Sequence, residues 1–290
     1  MIVYALAPPG AGGGRRLAES PAPHNIETGT DQLLCRWEDR VAVVTLNRPD
    51  ARNALTWELK AALIELVPRL GADPAVGCLL LTGSGGAFCS GGDTKSMARE
   101  GKPPSPEERK RILRWEHALP EAIHRLEKPV VAALPGPAAG AGFSIALSCD
   151  IRIAAESAFV TTAYARLGLS GDYGGSWFLT QLVGTAKARE LFFTGRRVDA
   201  QECERLGIVN RVVPDADLEK ESMALARQIA AGPPIALRYM KENLNRALRE
   251  DLQSCLEVEA DRMVQSAQTE DYVEAVKAFQ EKRAPEFKGR

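Results

Sequence analysis

Apolar and polar residues first fall into a period-two alternation. Leu33–Trp37 and Val41–Leu46 read as strands around the turn Glu38-Asp39-Arg40, and Asn47-Arg48-Pro49-Asp50 breaks the second. The period then lengthens. Thr56 caps a helix carrying Leu59, Leu63, Leu66 and Val67, which Pro68 is expected to kink or stop. After the turn Gly71-Ala72-Asp73-Pro74, Val76–Thr82 reads as a short buried strand. A polar, Pro-rich break at Lys102–Pro106 precedes a helix with Ile112, Leu113, Leu119, Ile123 and Leu126 on its apolar face and a bend expected at Pro120. The stretch Val130–Ile151 contains a β-branched run, a stop at Pro135-Gly136-Pro137, the small-residue turn Ala138–Gly142 and an apolar helix ending near Cys149-Asp150. Ile151–Ala155 and Ala158–Thr161 follow as strands around Glu156-Ser157. The loop Gly168–Gly175 leads into a helix from about Ser176. Asp199 with Glu202 forms a capping box, Gly207 closes that short helix, and Ile208–Val213 is another strand. From Asp217 the pattern is helical. It breaks at Gly232-Pro233-Pro234, with further helices near Ile235–Arg249, Leu252–Ser266 and Glu270–Arg283. This order implies an α/β core, 31–231, and a helical C-terminal region, 232–290. Residues 1–30, rich in Gly, Pro and Ala, read as a flexible tail that fits a secretory signal poorly.

Two small-residue loops, each after a short apolar strand, carry the candidate chemistry: Gly83–Asp93 and Ala138–Gly142. The first N–H groups of a helix lack an intrahelical acceptor and carry the positive end of its dipole. Glycine and alanine leave such a backbone open to close approach. Adjacent strands holding Gly92 and Ala141 would let two N–H groups converge on one oxygen. Such a hole is worth roughly 3–4 kcal/mol per donor where negative charge develops. Glycine content alone favours the plainer reading, two tight turns. A dinucleotide fingerprint fits worse, because Gly140-Ala141-Gly142 has no third glycine at the right offset, and no phosphate-loop motif occurs.

Net charge is −1 over 290 residues, which argues against nucleic acid as a partner. No apolar run approaches a membrane span. Six cysteines are scattered without a CxxC pair, so they read as structural thiols of a reducing, cytoplasmic compartment. Three histidines show no metal spacing, and no metal site is expected.

The motifs Asn47-Arg48-Pro49, Asn53-Ala54-Leu55, Ala87–Asp93, Lys128–Ala133, Gly140-Ala141-Gly142, Cys149-Asp150-Ile151, Gly207–Asn210 and Glu281–Phe287 follow one another in that order. On them the chain, from about Leu33 to the C-terminus, resembles the crotonase (enoyl-CoA hydratase/isomerase) superfamily. The resemblance implies a crotonase-like spiral of ββα units with a C-terminal helical trimerisation region, assembled as trimers or pairs of trimers. It also implies acyl-CoA substrates, as in fatty acid metabolism, with no cofactor beyond the CoA of the substrate. Two backbone N–H groups, here those of Gly92 and Ala141, would stabilise a thioester enolate.

The departures bear on the reaction. Where hydratases of the family carry two glutamates, this chain has Ser144 and Tyr164. Asp172 falls where family isomerases, and a dehalogenase acting on aryl-CoA, keep a catalytic carboxylate. Flanked by Tyr173, Trp177 and Phe178, it is expected to have a raised pKa and to shuttle a proton; the competing reading is a helix cap. His117 aligns with a histidine that assists the dehalogenase, but its polar-flanked helix also reads as surface. Tyr164, Ser144, Tyr173 and Trp177 are candidate acyl-pocket residues, and Asp150 reads as structural. The resemblance places Arg52, Asp93 and Lys95, and Phe279 and Lys282 of a neighbouring subunit, against CoA. Double-bond isomerisation is the leading expectation. The alternatives are a hydratase with atypical acid/base residues, a dehalogenase or hydrolase using Asp172 as nucleophile, and a silent subunit binding CoA esters or a partner.

Overall fold

Continuous apolar runs become central strands and alternating ones become outer strands. In the computed structural model, which describes residues 22–93 and 104–290, ten strands form two sheets. They are β1 (His24–Ile26), β2 (Leu33–Glu38), β3 (Val41–Leu46), β4 (Cys78–Gly83), β5 (Val130–Leu134), β6 (Ala138–Ala139), β7 (Ile151–Ala155), β8 (Phe159–Thr161), β9 (Val198–Asp199) and β10 (Arg211–Val213). The larger sheet runs β1-β2-β3-β4-β5-β7-β10, antiparallel as far as β3 and parallel beyond it. The smaller runs β6-β8-β9. The pairs β5/β6 and β7/β8 each send their first strand to the large sheet and their second to the small one. β5 is wholly buried, as parallel strands covered on both faces require.

Helices fill the intervals: α1 (Trp57–Ala72), α2 (Pro106–Glu116), α3 (Ala118–Arg125), α4 (Ala141–Ser148), α5 (Gly175–Thr194), α6 (Ala200–Arg205) and α7 (Leu218–Ala230). Then come α8 (Pro234–Ala247), α9 (Leu252–Ala267) and α10 (Glu270–Glu281). Strand pairs with an intervening helix thus recur up to α6, and helices alone follow β10. Every residue of α4 is buried. Each large apolar side chain so removed from water contributes about 1.5–3 kcal/mol. At the core's edge, Lys241 of α8 donates to Asp150 Oδ2 at 2.7 Å and to the carbonyls of Ile123 and Lys128 at 3.1 Å. Asp150 Oδ2 also accepts Val130 N–H at 2.7 Å, the structural part expected of it.

Several boundaries differ from the sequence reading. Order begins before Gln32: His24–Ile26 pairs with β2 and His24 stacks on Trp37. Residues 22–30 therefore do not belong to a loose tail; a three-residue strand has too few positions to display alternation. The rest of the expected tail, 1–21, lies outside the described residues. Pro68 neither kinks nor stops α1. It sits on the exposed face, while buried Leu66, Val67 and Leu70 hold the helix to the core. The chain breaks at His117, not Pro120, which falls in the first turn of α3 where an N–H has no helical acceptor in any case. Ile208 and Val209 do not extend β10; their N–H groups donate to Cys203 O and close α6.

Candidate active site

Asn53 fixes the first glycine loop. It is fully buried, its Oδ1 accepts Arg48 N–H at 2.8 Å, and its Nδ2 donates to Ser84 O at 2.9 Å and Ala87 O at 2.8 Å. Arg48 reaches Ala54 O at 2.6 Å and pairs with Asp93 at 3.2 Å, so Asp93 braces this loop. Leu55 N–H donates to Gly91 O at 2.8 Å. Across a trans peptide the C=O and N–H point oppositely, so Gly92 N–H is aimed away from Leu55.

The second loop is hydrogen-bonded to the first. Phe88 N–H donates to Pro137 O at 3.0 Å and Ala139 N–H to Cys89 O at 2.9 Å. Gly140 then turns with φ +52°, and its carbonyl accepts Ser144 N–H at 3.0 Å. Ala141, the first residue of α4, therefore aims its N–H out of the helix N-terminus. Here the loops touch. A Cβ on Gly91 would lie 2.8 Å from Ala139 O and 3.5 Å from Ala141 N, and one on Gly142 only 2.4 Å from Cys89 O. The glycines allow two free-standing peptide dipoles to approach from adjoining loops.

Asp172 lies on the turn before α5, where Gly171 has φ +106° and Tyr173 φ +53°. Tyr164, in a 3-10 turn at Tyr164–Leu167, donates its hydroxyl to Asp172 Oδ1 at 2.7 Å. The Tyr164 and Ser144 hydroxyls are 3.1 Å apart, and Ser144 Oγ is 3.3 Å from Gly140 O. Burial raises the Asp172 pKa, partly opposed by the Tyr164 hydrogen bond and the nearby His117. Burial pushes the Tyr164 phenol up as well, which keeps it a donor. Asp172 does not cap α5 with its side chain. The Trp177 and Phe178 rings both stand edge-on to His124, and Tyr164 is the aromatic residue whose hydroxyl reaches Asp172.

Tyr173 is buried and donates to Glu116 Oε2 at 3.2 Å, while Lys60 pairs with Glu116 Oε1. His117 is half-buried, not on the surface, packed edge-on to Tyr173 at 5.7 Å, with its Nε2 shielded and unpartnered among the described residues. Both His117 and Trp177 line a cavity of about 320 Å³ with Pro120, His124, Gly174 and Phe178. A larger cavity, about 1010 Å³, lies between Asn25–Thr30, the β2–β5 face and α7, and among the described residues none of the predicted site residues lines it.

Of the expected CoA contacts, Arg52 is exposed beside the first loop, its carbonyl accepting Ser90 N–H at 2.9 Å. Lys95 lies outside the described residues. Phe279 is 73% exposed on α10 and Lys282 caps that helix with φ +54°. The sequence reading missed Glu116 and gave Asn53 no role. Glu116 was detectable, since it falls in register with Ile112, Leu119 and Ile123, an acid on an apolar helix face.

The family model for enoyl-CoA hydratase/isomerase matches residues 36–290. The 1,2-epoxyphenylacetyl-CoA isomerase of Escherichia coli is 36% identical over 258 residues, 89% of this chain and 98% of that one. The short-chain-enoyl-CoA hydratase of Clostridium acetobutylicum is 35% identical over 262 residues, 90% and 99%. The crystal structure of an enoyl-CoA hydratase from Polaromonas sp. JS666 superposes with TM-score 0.83 at 36% identity, covering 88% of this chain and 99% of that one. That of an enoyl-CoA hydratase from Bacillus anthracis gives 0.85 at 33%, covering 89% and 100%. By sequence match and by fold, this chain belongs to the enoyl-CoA hydratase/isomerase family, the crotonase superfamily, as an acyl-CoA enzyme.

Proposed function

We propose that the enzyme moves the double bond of an enoyl-CoA thioester, with Asp172 as the proton shuttle. The Asp172 carboxylate takes a proton from the carbon next to the thioester carbonyl. The electron pair left behind delocalises onto the thioester oxygen, which accepts hydrogen bonds from Gly92 and Ala141 N–H. The same carboxyl returns the proton two carbons further along, and the double bond shifts with no atom gained or lost. The observation that carries this reading is a half-buried carboxylate, raised in pKa by burial and held by the Tyr164 hydroxyl, beside the paired loops. In this reading CoA arrives with the substrate and no further cofactor takes part.

Hydration is the second reading, favoured by relatives named as hydratases. It requires two carboxyl groups to position and activate water. Ser144 and Tyr164 supply none, and both oxygens of Glu116 are engaged, by Lys60 and Tyr173. The enzyme is further proposed to assemble as trimers or pairs of trimers in the cytoplasm, with Arg52, Lys95 and a neighbour's α10 end reaching the CoA.

The test is a panel of 2-enoyl, 3-enoyl and aryl-CoA thioesters with products identified by mass and NMR. An isomer of unchanged mass is expected, lost by about 10³-fold in Asp172→Asn with the fold intact. A product heavier by one water establishes hydration instead. An adduct trapped on Asp172 establishes a nucleophile, as in dehalogenation or hydrolysis, and no turnover across the panel establishes a silent CoA-ester-binding or partner-binding subunit.

A further inference from the structure

The peptide that ends in Ala141 N–H begins with the Gly140 carbonyl, and that carbonyl is within reach of a hydroxyl. Ser144 Oγ lies 3.3 Å from Gly140 O and 3.1 Å from the Tyr164 hydroxyl, which lies 2.7 Å from Asp172 Oδ1. Four groups from α4, the 3-10 turn and the Asp172 turn thus form an unbroken chain between the proton-shuttle candidate and the oxyanion-donor candidate. Ser144 and Tyr164 stand in the middle of it, each with one hydrogen to give and acceptors on both sides; the Asp172 carbonyl, 3.5 Å from the phenol, is a weaker third choice for Tyr164. Ser144 is 1% exposed and Tyr164 6%, so water does not compete for those hydrogens.

We infer that Ser144 and Tyr164 form a relay through which the charge on Asp172 sets the strength of the Ala141 donor. The inference rests on the isomerase reading above and assigns a task to two residues which that reading leaves idle. With Asp172 ionised, its carboxylate is the strongest acceptor in the chain and claims the Tyr164 hydrogen. The phenol oxygen then accepts from Ser144, and the Gly140 carbonyl is left to Ser144 N–H alone.

Once Asp172 has taken the substrate's proton, its attraction for the phenol weakens. Tyr164 O–H turns to Ser144 Oγ, and Ser144 O–H turns to Gly140 O. A carbonyl that accepts a further hydrogen bond polarises its own peptide, so Ala141 N–H becomes a better donor. It does so when the enolate oxygen carries the charge. Within the relay no bond to hydrogen breaks, because two hydroxyl rotors turn; the only proton transferred passes between substrate carbon and carboxylate. Both rotors return when the proton is delivered. Ser144 and Tyr164 are thereby positioning residues, acting through Ala141.

Other groups face Asp172 and enter the test. Arg109, Glu116 and His117 come from α2 and its end, and Tyr173 follows in the chain; Lys60 of α1 acts through Glu116. The probe is a saturated acyl-CoA labelled with ¹³C at the thioester carbonyl, which cannot isomerise. Its bound C=O stretch is read by infrared difference spectroscopy across pH. In wild type a shift to lower frequency is expected as pH falls and Asp172 becomes neutral. In Ser144→Ala and in Tyr164→Phe the frequency is expected to ignore pH. Asp172→Asn, uncharged throughout, is expected to ignore it too, which separates Asp172 from Glu116 and His117. Ser144→Ala is also expected to lower kcat roughly three- to tenfold with KM unchanged.

A wild-type carbonyl at the free-ligand frequency at every pH overturns the reading of the site, and the relay with it. A red-shifted carbonyl indifferent to pH overturns the relay alone, as does a pH response that persists in both hydroxyl variants.

Discussion

At the scale of single residues, the site is governed by what one tyrosine does to one carboxylate. Burial opposes the charge on Asp172, while the 2.7 Å hydrogen bond from Tyr164 favours it, and burial wins. A base must be ionised to act. The acid limb of kcat/KM is therefore expected above the ordinary carboxylate range, with activity rising as pH rises through the raised pKa. The stability term has the opposite sign: the folded chain binds the Asp172 proton more tightly than the unfolded one does. That contribution is present at low pH and fades as pH climbs through the folded value. Tyr164→Phe removes the group that holds the pKa down, so its acid limb is expected at still higher pH than wild type. A pH–rate series on the purified variant checks this, and a limb that stays put or moves down refutes it. Sequence identified Asp172 and Tyr164 separately, through likeness to a family. It did not join them, because the bond depends on where a 3-10 turn and an irregular turn of positive-φ residues place two side chains eight positions apart.

At the scale of elements, the N-terminus of α4 is useful only if it presses against the Cys89 loop. Gly142 makes that approach possible, since any Cβ there meets the Cys89 carbonyl at 2.4 Å and the Cys89 side chain at 2.6–2.7 Å. Gly142→Val is expected to part the two loops. The expected cost is about 1–3 kcal/mol of stability from overpacking and about 10²-fold or more in kcat through a displaced donor. Thermal unfolding and turnover of the same preparation measure the two separately. Gly86→Ala offers a control in open space, though strained at φ +74°. Such elements were largely legible beforehand. The apolar runs gave β3 and β7 their bounds, and Thr56 and Asp199 cap as expected, accepting Leu59 N–H and Glu202 N–H. Elements decided by tertiary contact were not. Pro68 is accommodated on an exposed helix face, and β1 pairs along the edge that β2 offers.

At the scale of the whole molecule, the C-terminal helices are tied to the core by few contacts but chemically strong ones. Lys241 has a side chain only 7% exposed and spends its charge on Asp150 and two carbonyls of the core. Lys241→Ala takes the paired cation from Asp150 and a donor from those carbonyls, and a loss of about 3 kcal/mol is expected in denaturant unfolding. Beyond that anchor the helices expose what a folded monomer ordinarily hides. Leu252, Leu256 and Met263 of α9 stand 54–74% exposed at spacings that place them on one face, and Leu244 of α8 and Leu248, which caps that helix, are 70% and 40% exposed. An apolar stripe of this kind suits a protein–protein contact. If the partners are further copies of this chain, sedimentation should give three or six times 31.4 kDa, and Met263→Glu should shift the distribution toward the single chain. The same variant separates assembly from chemistry. Should a neighbour's Phe279 and Lys282 hold the CoA, dissociation raises KM for the thioester while the Asp172 acid limb keeps its place on the pH axis. A KM indifferent to dissociation would put the whole CoA site within one chain.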